Sequence, residues 1–239
     1  MKYFYFVLFL NCLSIFSQNK ARVSYVVIPT GGSLEKNQQV VKSKVASSFA
    51  GVDDALSRLN YELVVNGGKS NFYLTSSLDF NEKAARVARA FAGNNEYFKD
   101  KESNKIIKKV NFSHEIFYVQ LESKLQWNLI NEQKVINGYT CFKATQQKQL
   151  KLKKTDRTYL VVAWYCPAIP IGNGPKEFGN LPGLILELQD GKITFLASKI
   201  ELESNLKLTL KDVSHKLISE DEFYKIGEKT VENTANSMK

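Results

Sequence analysis

The 239-residue chain holds two histidines, His114 and His215, and three cysteines, Cys12, Cys141 and Cys166. A structural zinc site draws four such ligands from close pairs. These five are scattered, so the sequence points to no metal site. Nucleophilic catalysis has little to stand on either. There is no G-x-S-x-G elbow, and a thiol–imidazole pair between either late cysteine and His114 competes with a simpler use of the cysteines. Asp53-Asp54 and the acids from Glu220 to Glu222 lie in helix-start contexts, where the helix dipole accounts for them. Gly172-Asn173-Gly174 lacks the spacing of a nucleotide-binding loop and precedes a strand. No catalytic residue is assigned, and no cofactor is expected. His114, inside the alternating run FSHEIFYVQL, reads as a core histidine on an apolar strand face. His215 reads as a surface residue.

Cys141 and Cys166 are the pair whose spacing has geometric content. If residues 138–147 and 157–166 form a hairpin about Lys153 and Lys154, position 141 falls opposite position 166. Opposed residues at non-hydrogen-bonded sites of an antiparallel pair have Cα atoms about 4.5 Å apart, within disulfide range. Such a pair is either a bridge or two buried thiols, and a one-residue register slip would separate it.

The elements that must hold these residues are mostly strands. Residues 22–28 alternate and end at Pro29, Gly31 and Gly32. Val41, Val45, Phe49, Val52, Leu56 and Leu59 make a helical stripe, interrupted by Gly51. Residues 61–66 and 69–75 flank Gly67-Gly68, a hairpin signal. Asp79 is placed to cap a second helix that stops at Gly93, and residues 96–100 and 104–110 read as short strands. From 112 to 211 the chain reads almost entirely as strand: FSHEIFYVQL, LQWNLI, VINGYTCFKAT, RTYLVVAWYC, then LILELQ and KITFLASKIELE about the Asp190-Gly191 turn, and finally LKLTL. Ser219 and Glu222 have capping-box spacing ahead of a C-terminal helix. Successive strands joined by short turns predict a mainly β, α+β fold: a curved antiparallel sheet, bowl-like or half-barrel, packed by a few helices. Phe117, Phe142, Tyr159 and the candidate binding-face aromatics Trp127 and Trp164 would line its concave side or fill its core.

The ends carry the compartment. Lys2 followed by the apolar run Tyr3–Leu10, with Leu13, Ile15, Phe16 and a small residue at Ser17, reads as a secretory signal peptide, too short for a membrane span. Cys12 offers lipidation as an alternative, although Asn11 before it is not small. Residues 1–17 are thus expected to be a signal, 18–230 a single β-rich domain, and 231–239 a loose polar tail. Location is then periplasmic, outer-membrane-associated or extracellular, with no transmembrane anchor in the mature chain. The net charge of +9 loses only Lys2 on cleavage, leaving +8. A basic surface is compatible with an envelope protein, lipid or glycan as partner. The lysines sit on no nucleic-acid motif, so none is expected to bind.

One passage, residues 169–191, is patterned beyond the needs of a connection. Pro170, Pro175 and Pro182 fix φ, while Gly172, Gly174, Gly179 and Gly183 permit unusual backbone. They specify a shaped loop leading into a buried strand, Leu184 to Leu188. Gly174, Pro175 and Phe178 form a G-P-x-x-F segment. Gly179, Leu181, Pro182, Gly183, Leu184 and Ile185 follow, with Asn180 inserted. This resembles the signature of the GLPGLI family of exported Bacteroidota proteins. Trp127, Gly138–Cys141, Lys143-Ala144, Ala163–Tyr165 and Ile169-Pro170 fit the same pattern, and the specific part covers about residues 125–190. The resemblance implies an exported protein of unknown biochemical role and brings no catalytic residues. It also implies a fold similar to the bowl-shaped N-terminal domain of a flavobacterial peptide N-glycosidase. The function expected is a non-catalytic ligand- or partner-binding envelope domain, with an unrecognised hydrolase or a purely structural component as the alternatives.

Overall fold

The computed structural model describes residues 20–31, 50–75, 82–122, 126–150, 156–202 and 217–237. Residues 1–17, Val41, Val45, Phe49, Asp79, the LKLTL run and His215 lie outside the described residues.

Alternation along Lys20–Pro29 (β1) buries Ala21, Val23, Tyr25 and Val27 and turns Arg22, Ser24 and Val26 to the other face. That is the period of a strand with one core face. β1 lies at the middle of a twelve-stranded sheet. On one side run Asn60–Asn66 (β2), Lys69–Leu74 (β3), Glu96–Asp100 (β4), Lys105–Phe112 (β5), Glu115–Leu121 (β6) and Leu217–Ser219 (β12). On the other run Ile193–Glu201 (β11), Leu184–Asp190 (β10), Arg157–Cys166 (β9), Tyr139–Leu150 (β8) and Asn128–Ile136 (β7). Two meanders thus meet at β1. Every pairing is antiparallel except β12 on β6, which is parallel. The sheet is therefore mixed, not purely antiparallel as the sequence predicts, because β12 pairs with β6 at the far edge and not with the preceding strand β11.

The Gly67-Gly68 and Asp190-Gly191 hairpins form as their sequences require, with Gly67 and Gly191 at positive φ. Two other turns interrupt runs that read as continuous. Asn137 and Gly138 both take positive φ and divide VINGYTCFKAT between β7 and β8. Ser113 and His114 do the same between β5 and β6. His114 is therefore an exposed turn residue, not a core histidine.

Three helices are described: Val52–Ser57 (α1), Lys83–Ala92 (α2) and Glu220–Ser237 (α3). Val52, Ala55 and Leu56 of α1 and Ala85, Ala88 and Ala92 of α2 are buried, so both helices place an apolar stripe in the core. Gly93 ends α2 at φ 85°, and its carbonyl accepts the Tyr61 hydroxyl. The capping box forms at α3: Ser219 Oγ accepts from Glu222 N at 3.2 Å, and Glu222 Oε2 accepts from Ser219 N at 2.8 Å. α3 continues to Ser237, through the stretch whose polarity points to a loose tail, because no proline or glycine interrupts it after Gly227.

An aromatic cluster packs over the middle of the sheet. Phe72 stacks on Tyr61 at 5.3 Å and meets Tyr25 and Phe195 edge-on. The concave face is thus a packed core over β1–β3 and β11.

Candidate functional site

Between β9 and β10 the chain makes the proline- and glycine-rich excursion of residues 167–183, and its sequence dictates an inward course. Ile169, Ile171, Phe178 and Leu181 are buried, so the loop carries its own apolar contacts to the core. Its main chain is bonded to itself and to β10: Ile169 O accepts from Leu184 N at 2.9 Å, Asn173 O from Ile185 N at 3.0 Å, and Gly172 O from Asn180 N at 2.9 Å. Two glycines are required by close approach. A Cβ on Gly174 would lie 2.6 Å from Ile185 Cδ1, and one on Gly183 would overlap the Cys166 carbonyl.

The loop lies across the concave side and touches strands from both halves of the sheet. Lys99 of β4 donates to the carbonyls of Gly174 (3.0 Å) and Phe178. Ser70 of β3 donates to Asn173 Oδ1 at 3.0 Å. From the other side, Lys148 of β8 pairs with Glu177 at 2.7 Å. Trp127 donates its indole N–H to Gly179 O at 2.8 Å and packs on Phe178. Six strands separate β4 from β8 in the sheet, so both can reach one loop only because the sheet is strongly curved.

Charge under the loop is concentrated. Asp190 accepts from Tyr159 Oη at 2.7 Å, pairs with Lys176 at 2.7 Å and lies 3.6 Å from Lys148. Although burial opposes ionisation, Lys176 and Lys148 hold the Asp190 carboxyl down at about 2. Glu177 is likewise held below the usual glutamate range by Lys148 and Lys176, against its burial. Lys176 adopts φ 52°, an uncommon conformation for a non-glycine residue, and lays its ammonium 4.9 Å over Phe195. Burial lowers Lys99 to about 7, with Glu177 opposing the shift.

Beside this cluster a cleft of about 640 Å³ opens between the loop and the turns of the β2–β3 and β4–β5 hairpins. The loop wall runs from Pro170 to Asn173 and from Gly179 to Gly183, with Glu177. The opposite wall is Gly67-Gly68, Lys99 to Lys101, and Asn104 to Ile106. Pocket volumes of this order suit small ligands.

The residues singled out by sequence separate into groups. Gly179, Leu181, Pro182 and Gly183 line the cleft; Gly174, Pro175, Phe178, Leu184 and Ile185 lie buried behind it. Trp127 braces the loop. Trp164 faces away: it pairs across the ladders with Lys143 and Glu187, and Lys134 lies 4.4 Å over its ring. The two tryptophans are not brought together on one binding face. Phe142 packs on Tyr165, and Phe117 on Phe223 of α3. Cys141 and Cys166 are buried thiols in the structure. The β8–β9 ladder pairs Phe142 with Tyr165, so its next position sets 141 opposite 166, the expected register. Sequence reasoning missed Lys99 and Glu177. Lys99 had a signal: it lies two residues after the buried Tyr97 on a short strand, so it must share the inward face.

No group of three or more metal-ligating side chains occurs among the described residues, and no described helix is long and apolar enough to cross a membrane. Residues 146–187, from mid-β8 through the loop into β10, match the model of a family described as "Protein of unknown function (Porph_ging)". No curated protein matches the chain. Among solved structures, PNGF-II in one crystal form aligns over 87% of this chain at 14% identity with a TM-score of 0.50. A second crystal form of PNGF-II aligns over 84% at 14% identity and 0.47. The chain spans about a third of the length of those structures, 33% and 31%. At this identity the first likeness is one of fold.

Proposed function

We propose that the mature protein is an exported cell-envelope domain that holds a polar ligand in the cleft beside the 167–183 loop without converting it. The observation that carries this reading is the construction of the loop. It has its own buried anchors, internal main-chain bonds and two tethers from Lys99, and one side of it is left open as a cleft wall. A connection between adjacent strands needs only a few residues; seventeen ordered ones with proline-fixed geometry fit a binding element on a rigid scaffold. Of the two uses open to the aromatics, lining the concave side or filling the core, the packing of Tyr25, Tyr61, Phe72 and Phe195 on one another supports the second. Export rests on the N-terminal segment and on the resemblance to the GLPGLI family. The match over residues 146–187 to a family of unknown function falls on the same loop.

The test is native mass spectrometry of protein isolated from its own envelope, beside a Gly68→Trp variant. Gly68 lines the cleft, and a Cβ there meets only ordinary contacts, so a bulky side chain can start from this backbone and narrow the mouth, with an unchanged melting temperature as the check on folding. A bound mass in the parent that is absent from the variant is expected. A bare parent moves the assignment to a structural role.

A second reading, a hydrolase, is favoured by one observation: a lysine titrating near 7 stands in a cleft beside a buried carboxylate, an arrangement typical of acid–base pairs. Turnover of the bound molecule, abolished by Glu177→Gln, would establish it.

A further inference from the structure

The floor of the cleft offers one free donor and one free acceptor. Lys99 gives two N–H groups to the carbonyls of Gly174 and Phe178, and its third has no partner among the described residues. Glu177 Oε1 accepts from Lys148, while its Oε2 is buried without a hydrogen bond. Leaving a buried polar atom bare costs about 1–3 kcal/mol, so a ligand group that satisfies both positions gains from both. A hydroxyl does this, accepting from the lysine and donating to the carboxylate.

The rim is cationic. Lys101, in the β4–β5 turn, and Lys105, at the start of β5, are exposed and have no ion-pair partner among the described residues. Of the acids nearby, Asp100 Oδ1 accepts main-chain N–H groups of Glu102 and Ser103 and Glu177 holds Lys148, while the exposed Glu102 beside Lys101 is the one carboxylate set against the two rim lysines. No aromatic ring lines the cleft among the described residues, which gives an apolar ligand or a stacking base no platform.

We infer that the cleft takes an acidic saccharide, with a ring hydroxyl between Lys99 and Glu177 and a carboxylate or sulfate against Lys101 and Lys105. This rests on the cleft being the binding site, as proposed above. Charge-assisted contacts at the rim make the affinity salt-dependent.

The test is calorimetric titration of the mature protein with tetragalacturonate, a sulfated chondroitin tetrasaccharide and neutral cellotetraose, at low and high salt. At least one acidic sugar is expected to bind tenfold or more tightly than cellotetraose and to weaken with salt. The double variant Lys101→Ala/Lys105→Ala, at exposed positions, should lose at least tenfold in affinity with an unchanged melting temperature. The carboxylated and sulfated probes tell which anion is read. Equal binding of neutral and acidic sugars, or full affinity in the double variant, overturns the acidic specificity; if Gly68→Trp still abolishes binding, the cleft reading survives. Acidic-sugar binding untouched by Gly68→Trp overturns both. No binding of any sugar, or tighter binding of a phosphopeptide or of anionic vesicles, overturns the saccharide assignment.

Discussion

At the scale of single residues, Lys99 ties the loop to the sheet and makes stability depend on pH. In the unfolded chain its amine keeps a proton up to about its ordinary 10.5, whereas in the fold it releases it near 7. Between those values the unfolded state binds more protons, so this residue makes stability rise with pH, and its unfavourable contribution is fully present below 7. Urea unfolding from pH 7 to 10 is expected to show a flatter profile for Lys99→Met than for the parent. Equal slopes would remove Lys99 as the source. Asp190 acts in the opposite window. Its carboxyl is held at about 2 against an ordinary 3.8, so its stabilisation is present above 3.8 and lost as pH falls toward 2. Asp190→Asn strips Lys176 of its buried carboxylate, while Lys148 keeps Glu177, and a loss of about 3–5 kcal/mol is expected in denaturant unfolding at neutral pH.

The cysteines also belong to this scale. Burial and the neighbouring Cys166 sulfur push the Cys141 thiol up to about 12, so as a free thiol it is inert to ordinary reagents. Their opposed register allows a bridge in an oxidising compartment. Thiol labelling of denatured, unreduced protein taken from the native export route is expected to find no free cysteine. Two labelled thiols would leave the pair as core residues. A bridge would contribute about 3 kcal/mol in the chain-entropy model.

Among the elements, the loop is the most demanding. At Gly183 an added methyl overlaps the Cys166 carbonyl, and neither strand end can move without breaking the β9–β10 ladder. Gly183→Ala is expected to cost at least ~2 kcal/mol in thermal or urea unfolding. Gly227 is the matching control. It lies inside α3, an added Cβ meets nothing within 4 Å, and Gly227→Ala should stabilise by about 1 kcal/mol through helix propensity. A neutral Gly183→Ala would mean that the loop yields. Hairpins were legible from dipeptides wherever the turn residue was read as a turn. Asn137-Gly138 is also a turn dipeptide, but it stands inside the run VINGYTCFKAT, and the β7–β8 ladder shows it to be a turn. Ser113-His114 offered no glycine, and only the ladder reveals it.

At the scale of the whole molecule, the N-terminal run predicts that protein recovered from its native compartment begins near residue 18. N-terminal sequencing or intact mass checks this; a retained Met1 would contradict export by cleavage, and a lipid on Cys12 would place the chain on a membrane surface. The same scale shows where sequence reading ends. Strand periodicity, the β8–β9 register and the shaped loop are local properties, governed by alternation, turn chemistry and fixed dihedrals, so the residues by themselves determined a mostly β fold with a patterned insertion. Curvature is not local. It sums small twists over many strands, and only this sum brings Lys99 and Lys148, on opposite halves of the sheet, to the same loop. The burial of Lys99 and the position of Glu177 beneath the loop follow from that curvature. The tertiary structure therefore decided where the cleft lies, because a cleft forms between segments whose proximity no sequence spacing encodes.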